Sequence, residues 1–320
     1  MTETQRPSAT GVTFVEIDDA YAGQRIDNFL LRHLKGVPKS RVYRILRKGE
    51  VRVNKKRVKA EYRLADGDVV RVPPVRMAEG KPKLGVSNSL DQLLSSAVLF
   101  EDDRLLIINK PSGLAVHGGS GINQGLIEAL RVMRPQARFL ELVHRLDRDT
   151  SGCVMIAKKR SMLRYLHEQL RNGTIDKRYL ALVPGRWPNR RKVVNAPLEK
   201  NILKSGERMV RVAETGKKSL TEFSVVERYH QATLIEAKPI TGRTHQIRVH
   251  ALHAGHPLLG DDKYGDVEAC KSFKKKGLNR LFLHAAKLSI PMQDDEKNIV
   301  VAAPLSEDLQ LLLNNLEEVV

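Results

Sequence analysis

One stretch constrains this chain more than any other. The nine residues His144-Arg145-Leu146-Asp147-Arg148-Asp149-Thr150-Ser151-Gly152 put two acids and two arginines into six positions, and an apolar run of strand length stands on either side: Phe139-Leu140-Glu141-Leu142-Val143 before, Cys153-Val154-Met155-Ile156-Ala157 after. Runs of this kind read as buried strands. The charged residues then belong to a connection that leaves a core and returns to it. Carboxylates held there beside arginines can keep their charge, because the opposite charge offsets desolvation.

The residue types alone leave two readings open: a salt-bridged turn, or a sheltered carboxylate with chemistry to do. Composition narrows the partner. The 320 residues carry a net charge of +18 and a pI near 9.9, an excess that favours a polyanion. No apolar run approaches the ~18 residues that span a bilayer, and Met1 to Ser8 holds no apolar signal core. Cys153 and Cys270 sit in no metal or redox spacing. Together these features predict a cytoplasmic protein without membrane contact.

Residues 1–12 are polar and predicted to be disordered. Ile26, Phe29, Leu30 and Leu34 then recur at helical spacing, and Gly36-Val37-Pro38 ends that helix. Ser40 is the expected N-cap of a second helix, with Val42, Ile45 and Leu46 inward, Arg41, Arg44 and Lys48 outward, and Gly49 as its stop. Val51 to Asn54 and Val69 to Val72 alternate as strands. Ten Lys or Arg and one Glu fall between Lys39 and Lys59. A solvated face would mix signs, so this one reads as a phosphate-binding surface built from Lys39, Arg41, Arg44, Lys48, Lys55, Lys56 and Arg57. Residues 76–95 lack a period and read as a linker.

In the second half, Val98 to Glu101 and Leu105 to Ile108 read as strands around an acidic turn, followed by a glycine-containing loop from Ser112 to Gly119. Met162, Leu163, Tyr165, Leu166 and Leu170 predict a helix ending near Asn172-Gly173, and Lys177 to Val183 a strand. In Pro239-Ile240-Thr241-Gly242-Arg243-Thr244-His245-Gln246-Ile247-Arg248-Val249-His250, Gln246, Arg248 and His250 alternate with Ile247 and Val249, which predicts one wet and one buried face. The histidines match no metal-binding spacing, so no metal site is expected. Residues 267–280 read as a basic surface loop, Leu281 to Ala285 as a core strand and 306–318 as a closing helix.

His-Arg-Leu-Asp-x-x-Thr-Ser-Gly resembles the signature of the RluA/RluC-type pseudouridine synthases of ribosomal large-subunit RNA. The run from Asp102 to Gly113, the Lys177-Arg178-Tyr179 block and the run around Arg248 are similar to further blocks of that family, in order. Residues 23–75 resemble the S4 RNA-binding domain. The S4 module and the full form of the nonamer bring the resemblance nearest to the RluC type.

The resemblance implies an α+β fold with a mixed, mainly antiparallel sheet and a central cleft, preceded by a small S4-like αβ domain: 13–75 for the RNA-binding domain, 96–320 for the catalytic one. It implies Asp147 as the catalytic residue, with Asp149 at a variable position. Arg145 would help hold a flipped nucleotide, Tyr179 would lie against the base, and Arg248 would pair with the carboxylate, Arg243 being a second candidate. The implied reaction isomerises uridines of 23S ribosomal RNA, free or in an assembling large subunit, by a monomer that needs no cofactor. Base flipping would expose the target. Asp147 would attack C1′, add to C6 or take a C2′ proton. Two rivals are a non-catalytic RNA-binding ribosome-assembly factor, which the charge and S4-like module alone would support, and a glycosidase using Asp147 with Asp149.

Overall fold

The computed structural model describes residues 11–18, 21–34, 36–75, 86–118, 124–188, 193–202, 208–292 and 297–317. Most of the expected disordered N-terminus, the first ten residues of the expected linker, and Gly119 lie outside them. The chain divides into two compact units, one of residues 1–85 with the short segment Lys159–Ser161, the other of residues 86–158 and 162–320.

The first unit runs β1 (Thr13–Glu16), α1 (Ile26–His33), α2 (Lys39–Arg47), β2 (Arg52–Val53), β3 (Lys56–Arg57), β4 (Val69–Val72). Its sheet has the order β1-β4-β2-β3, antiparallel throughout. The helical periods hold: Ile26, Phe29 and Leu30 from α1 and Val42, Ile45 and Leu46 from α2 meet Val53, Val70 and Val72 in one core. Cutting a residue such as Ile45 back to alanine removes ~2–5 kcal/mol. Asp27 is buried in α1. Its carboxylate takes hydrogen bonds from Arg25, from the Asn28 backbone and from Tyr43 of α2, and the Arg25 contact above all pulls its pKa down. Ser40 does not cap α2. The helix opens two residues earlier than such a cap would set it, at Lys39, with Pro38 in the capping position and no side-chain cap. Asn54 and Lys55, both left-handed (φ 48° and 67°), turn β2 into β3, the two-residue arrangement that matches strand twist.

The second unit opens with α3 (Asn88–Ser96), capped by Ser87. This corrects the linker expectation for that stretch: Leu94 is fully buried in the second core, and burial of one helix face outweighs the missing local period. There follow β5 (Val98–Glu101), β6 (Leu105–Lys110), α4 (Leu126–Met133), β7 (Glu141–Leu142), β8 (Ser151–Ala157), α5 (Arg160–Asn172), β9 (Asp176–Pro184), β10 (Val193–Asn195), β11 (Leu198–Ile202), β12 (Arg208–Val212), β13 (Leu220–Arg228), β14 (Ala232–Pro239), α6 (Gln246–His253), α7 (Val267–Lys275), β15 (Leu283–Ile290), β16 (Ile299–Ala302) and α8 (Glu307–Asn314). The main sheet runs β10-β13-β14-β9-β15-β8-β6-β5, with β7 on β8 and β16 on β15. Its pairs are antiparallel except β8 with β15.

Two expectations are corrected here. Residues 267–275 form helix α7 rather than a loop: Asp266 caps it and Phe273 anchors it in a smaller apolar cluster with Leu259, Phe282 and Leu309, so its exposed lysines line only the wet side. The run from Gln246 forms helix α6, not an alternating strand, and Gln246 to Ala251 are all buried. The polar members are inside because each has a fixed partner. Gln246 donates to the Leu220 carbonyl, and His250 lies between Thr221 and the Ala196 carbonyl.

Candidate active site

The nonamer is the connection from β7 to β8, and its end is tied down before any chemistry is considered. Gly152 has φ 107°, and a Cβ there would fall 2.3 Å from the Ala285 carbonyl oxygen. Only glycine lets β8 run parallel against β15 at this point. One residue earlier, Arg280 donates to Ser151 Oγ at 2.6 Å, Ser151 donates to His284 Nδ1 at 2.9 Å, and His284 Nε2 donates to the Ala303 carbonyl at 3.0 Å. Burial lowers the pKa of His284, consistent with a neutral ring carrying its proton on Nε2.

The other brace is Lys110, fully buried at the end of β6. Its Nζ reaches the carbonyls of Pro111, Leu114 and Arg148 at 2.8, 2.7 and 2.9 Å. Burial draws its pKa down to about 7, with Arg280 adding to the effect and Asp149 and Asp147 opposing it. Three carbonyls around one nitrogen require three N–H bonds, which only the ammonium supplies, so the geometry favours the charged form. The Ser112 hydroxyl and the Gly113 amide also donate to the carbonyls of Asp149 and Arg148. The glycine-containing loop thus backs the nonamer.

A cleft of about 820 Å³ opens on the other side, lined by Arg145, Asp147, Tyr179, Arg243, His245 and Arg248 among others. Asp147 faces it with a side chain 31% exposed. Arg148 and Asp149 are not part of its lining and instead pair with each other, side chains 62% and 44% exposed. Arg248 Nη1 lies 3.3 Å from Asp147 Oδ2. Arg243 does not reach Asp147. It is exposed and donates to the Lys218 carbonyl, so Arg248 is the arginine of the pair. Tyr179, on β9, is nearly buried. Its pKa is raised by burial first and by the Asp147 charge second. Arg145 is exposed at the rim.

Three further residues escape sequence reading. Asp261, with a wholly buried side chain, takes Arg248 Nε and Nη2 at 2.7 and 2.6 Å, a bidentate grip, and also accepts the Lys263 and Tyr264 amides. Burial alone would lower the pKa of Arg248. The Asp261 bonds and charge, then Asp147, more than reverse that. The Tyr264 ring lies 4.9 Å under the guanidinium. His245 precedes α6 in a left-handed conformation, φ 53°, the kind of local strain that survives where surrounding structure enforces it. Val210 N–H donates to Tyr264 Oη at 2.8 Å, leaving the phenol hydrogen for His245 Nδ1, also at 2.8 Å. The ring proton is then on Nε2, which stands 3.8 Å from Asp147 Oδ2. Burial lowers the pKa of His245, Asp147 opposes this, and Arg248 and Lys263 reinforce it. Both protein groups approach Oδ2, and among the described residues none hydrogen-bonds Oδ1.

The expected RNA-contacting residues of the first unit lie along α2 and the β2–β3 hairpin. Lys39, Arg44, Lys48, Lys55, Lys56 and Arg57 are exposed and Arg41 is half-buried. Among the described residues no cluster of His, Cys, Asp and Glu could hold a metal ion, and no helix is long and apolar enough to cross a membrane.

Residues 104–253 match the family model described as RNA pseudouridylate synthase, and residues 24–70 match the S4 domain. The chain is 60% identical over 301 residues to ribosomal large subunit pseudouridine synthase C of Yersinia pestis, covering 93% of this chain and 94% of that protein. It is 57% identical over 318 residues to the protein of the same name from Escherichia coli strain K12, covering 98% of each. Similar solved structures include two human proteins. Human RNA pseudouridylate synthase domain containing 4 has a TM-score of 0.57 at 27% identity, covering 72% of this chain and 97% of that one. Human RNA pseudouridylate synthase domain containing 1 has a TM-score of 0.55 at 25% identity, covering 70% and 96%.

Proposed function

This chain belongs to the RNA pseudouridylate synthase family, and from that premise we propose how its cleft works. The chain isomerises uridine to pseudouridine in large-subunit ribosomal RNA. The C1′–N1 bond breaks, C1′ bonds to C5, the hydrogen on C5 leaves and N1 gains one. Nothing is oxidised or imported, so the reaction asks the protein for a place, a carboxylate and shielding from water.

Asp147 is the catalytic carboxylate. The observation that carries this is its position: Arg248 Nη1 is 3.3 Å from Oδ2 in the same cleft that Tyr179 lines. With Arg248 and His245 both on Oδ2, Oδ1 is the oxygen that meets the substrate. Tyr179 lies against the flipped uracil, where a ring can stack on a pyrimidine face. Arg145, at the rim, helps hold the nucleotide out of its helix, and base flipping is the general answer to a reacting base inside a stack. The first unit, an S4 domain with a one-signed α2 face, holds RNA by its backbone. The enzyme acts as a cytoplasmic monomer on 23S ribosomal RNA, free or in an assembling subunit.

The test separates the two acids of the nonamer. Asp147→Asn keeps the shape and removes the carboxylate; pseudouridine formation should vanish while RNA affinity holds. Asp149→Asn should remain substantially active. The same assay, read for free uracil as well as pseudouridine, distinguishes isomerisation from glycosidic hydrolysis and from mere binding. Turnover by Asp147→Asn near the wild-type rate would end this reading.

A further inference from the structure

Phe14 is 67% exposed, on β1, outside the segment that matches the S4 domain. The registers place Phe14 opposite Arg71, Arg71 opposite Arg52, and Arg52 opposite Arg57. Residues directly opposite share a sheet face. One row crosses all four strands, an aromatic ring followed by three arginines, on the face away from the core that Val53, Val70 and Val72 fill. Three strand spacings of ~4.8 Å make the row roughly 14 Å long.

Each guanidinium is anchored. Arg57 donates to the Arg47 carbonyl, Arg52 to the Gly49 carbonyl at 3.4 Å, and Arg71 to the Glu50 carbonyl at 2.5 Å. These carbonyls cluster where α2 ends, so the arginines are pinned there. An arginine has five N–H donors, and these bonds leave most of them for a ligand. Phe14, Val69, Arg52, Arg71, Lys48 and Lys55 surround one depression, whose lining also includes Glu50. Glu16 stands on the same face, one row beyond, opposite Val69.

We propose that this open sheet face is a second RNA site, for unpaired nucleotides: a base stacks on Phe14 and the strand's phosphates follow the row Arg71, Arg52, Arg57. The chemistry is that of single-strand binders, which combine an aromatic platform with a basic track. The charge complementarity favours a nucleic acid over an apolar partner, because a bare Phe beside anchored cations suits a base with its phosphate. The proposal rests on the RNA reading above, shares Lys48, Lys55 and Arg57 with that surface, and adds Phe14, Arg52 and Arg71, which α2 does not supply.

The full-length protein is titrated with a large-subunit RNA hairpin, with and without an unpaired single-stranded tail. In the wild type the tail should tighten binding. Phe14→Ala should remove roughly five- to a hundredfold of that gain, the range of one base–aromatic stack, and Phe14→Trp should keep it. Phe14→Ala should leave the salt dependence unchanged, whereas Arg52→Gln and Arg71→Gln should each flatten the slope by ~0.7, as for a lost single-strand phosphate contact. Thermal unfolding checks that each variant is folded. If Phe14→Ala disturbs the edge strand, a photocrosslink from 4-thiouridine in the tail to the peptide carrying Phe14 decides the matter in the wild type. A tail that adds nothing, with no crosslink, while the hairpin binds normally and Arg41→Glu with Arg44→Glu weakens it, overturns this site and leaves the S4 reading standing. No binding of either RNA overturns both.

Discussion

Asp261 holds Arg248 by two short bonds, 2.7 and 2.6 Å, while Asp147 receives one from the same guanidinium at 3.3 Å. The arginine is fixed by the acid whose side chain is wholly buried and offered by one corner to the acid that faces the cleft. Arg248 is therefore already in place before RNA arrives, and the carboxylate of Asp147 is oriented without being closed off.

Removing that anchor should cost both stability and turnover. Asp261→Asn breaks a buried ion pair and should lower stability by about 3 kcal/mol. At ~2–4 °C per kcal/mol for a unit of this size, the melting temperature should drop roughly 6–12 °C. With Arg248 loose, kcat should fall about 100-fold, the scale of a small misplacement in a reacting site. Calorimetry and single-turnover assays measure the two. Unchanged kcat in the folded variant would mean Asp147 needs no help from Arg248.

Tyr179 separates ring from hydroxyl. If the ring carries the contact, Tyr179→Phe should retain most activity and Tyr179→Ala should lose ~1–3 kcal/mol of base contact, the worth of one stack. Turnover at saturating RNA, compared across the three proteins, gives the order. Equal losses in both variants would assign the work to the hydroxyl.

The tautomer of His245 is set by a neighbour, which makes it testable at a distance. Tyr264→Phe removes the hydrogen donor to Nδ1, freeing the ring to carry its proton on the wrong nitrogen. The expected result is a several-fold fall in kcat with KM unchanged and an altered acid limb in the pH profile. His245→Asn tolerates the left-handed backbone and should show a similar kcat loss. A KM effect alone would make His245 a substrate contact instead.

Acid should weaken the second unit through His144. Its Nε2 accepts the Met155 amide at 3.1 Å, and burial first, then Lys177, pull its pKa down to about 4. A base with a depressed folded pKa is protonated more readily in the unfolded chain, so stability is full above the ordinary histidine value near 6.5. It falls as pH drops toward 4 and levels below that, where both states are protonated. Urea midpoints across this window should decline in the wild type and decline less in His144→Gln. Parallel curves would exclude His144 as a source of acid lability.

Sequence made some of this legible and not the rest, for physical reasons. Helices α1 and α2 and strand β4 follow from periodic burial, because one side of each is packed and the other wet, whereas β8 follows from an unbroken apolar run, buried along its whole length. Asp147 stood out only through its motif. The first six residues of helix α6 are buried on every side, which hides its period, so that Gln246, Arg248 and His250 reflect bonding partners rather than a wet face. Those partners, at positions 196, 220, 221 and 261, come from elsewhere in the chain. Asp261 gives no local sign at all: it lies in a loop, and its role exists only once α6 folds against it. The β13 and β14 strands went unmarked in the sequence, although their pairing carries the sheet toward β10.

Strand β15 lies between β9 and β8 in the main sheet, and it is built from residues 283–290. Before it arrives, the strands on either side of it have no hydrogen-bonded connection along the sheet: β10, β13, β14 and β9 on one flank, β8, β6 and β5 on the other. Arg280, His284 and Ala285, which fix Ser151 and Gly152, arrive with it. During synthesis the chain is made from its N-terminus, and domains fold as units as they emerge. The RNA-holding unit is complete hundreds of residues' worth of elongation time before the keystone of the cleft is translated. A nascent enzyme can therefore grip RNA long before it can modify it.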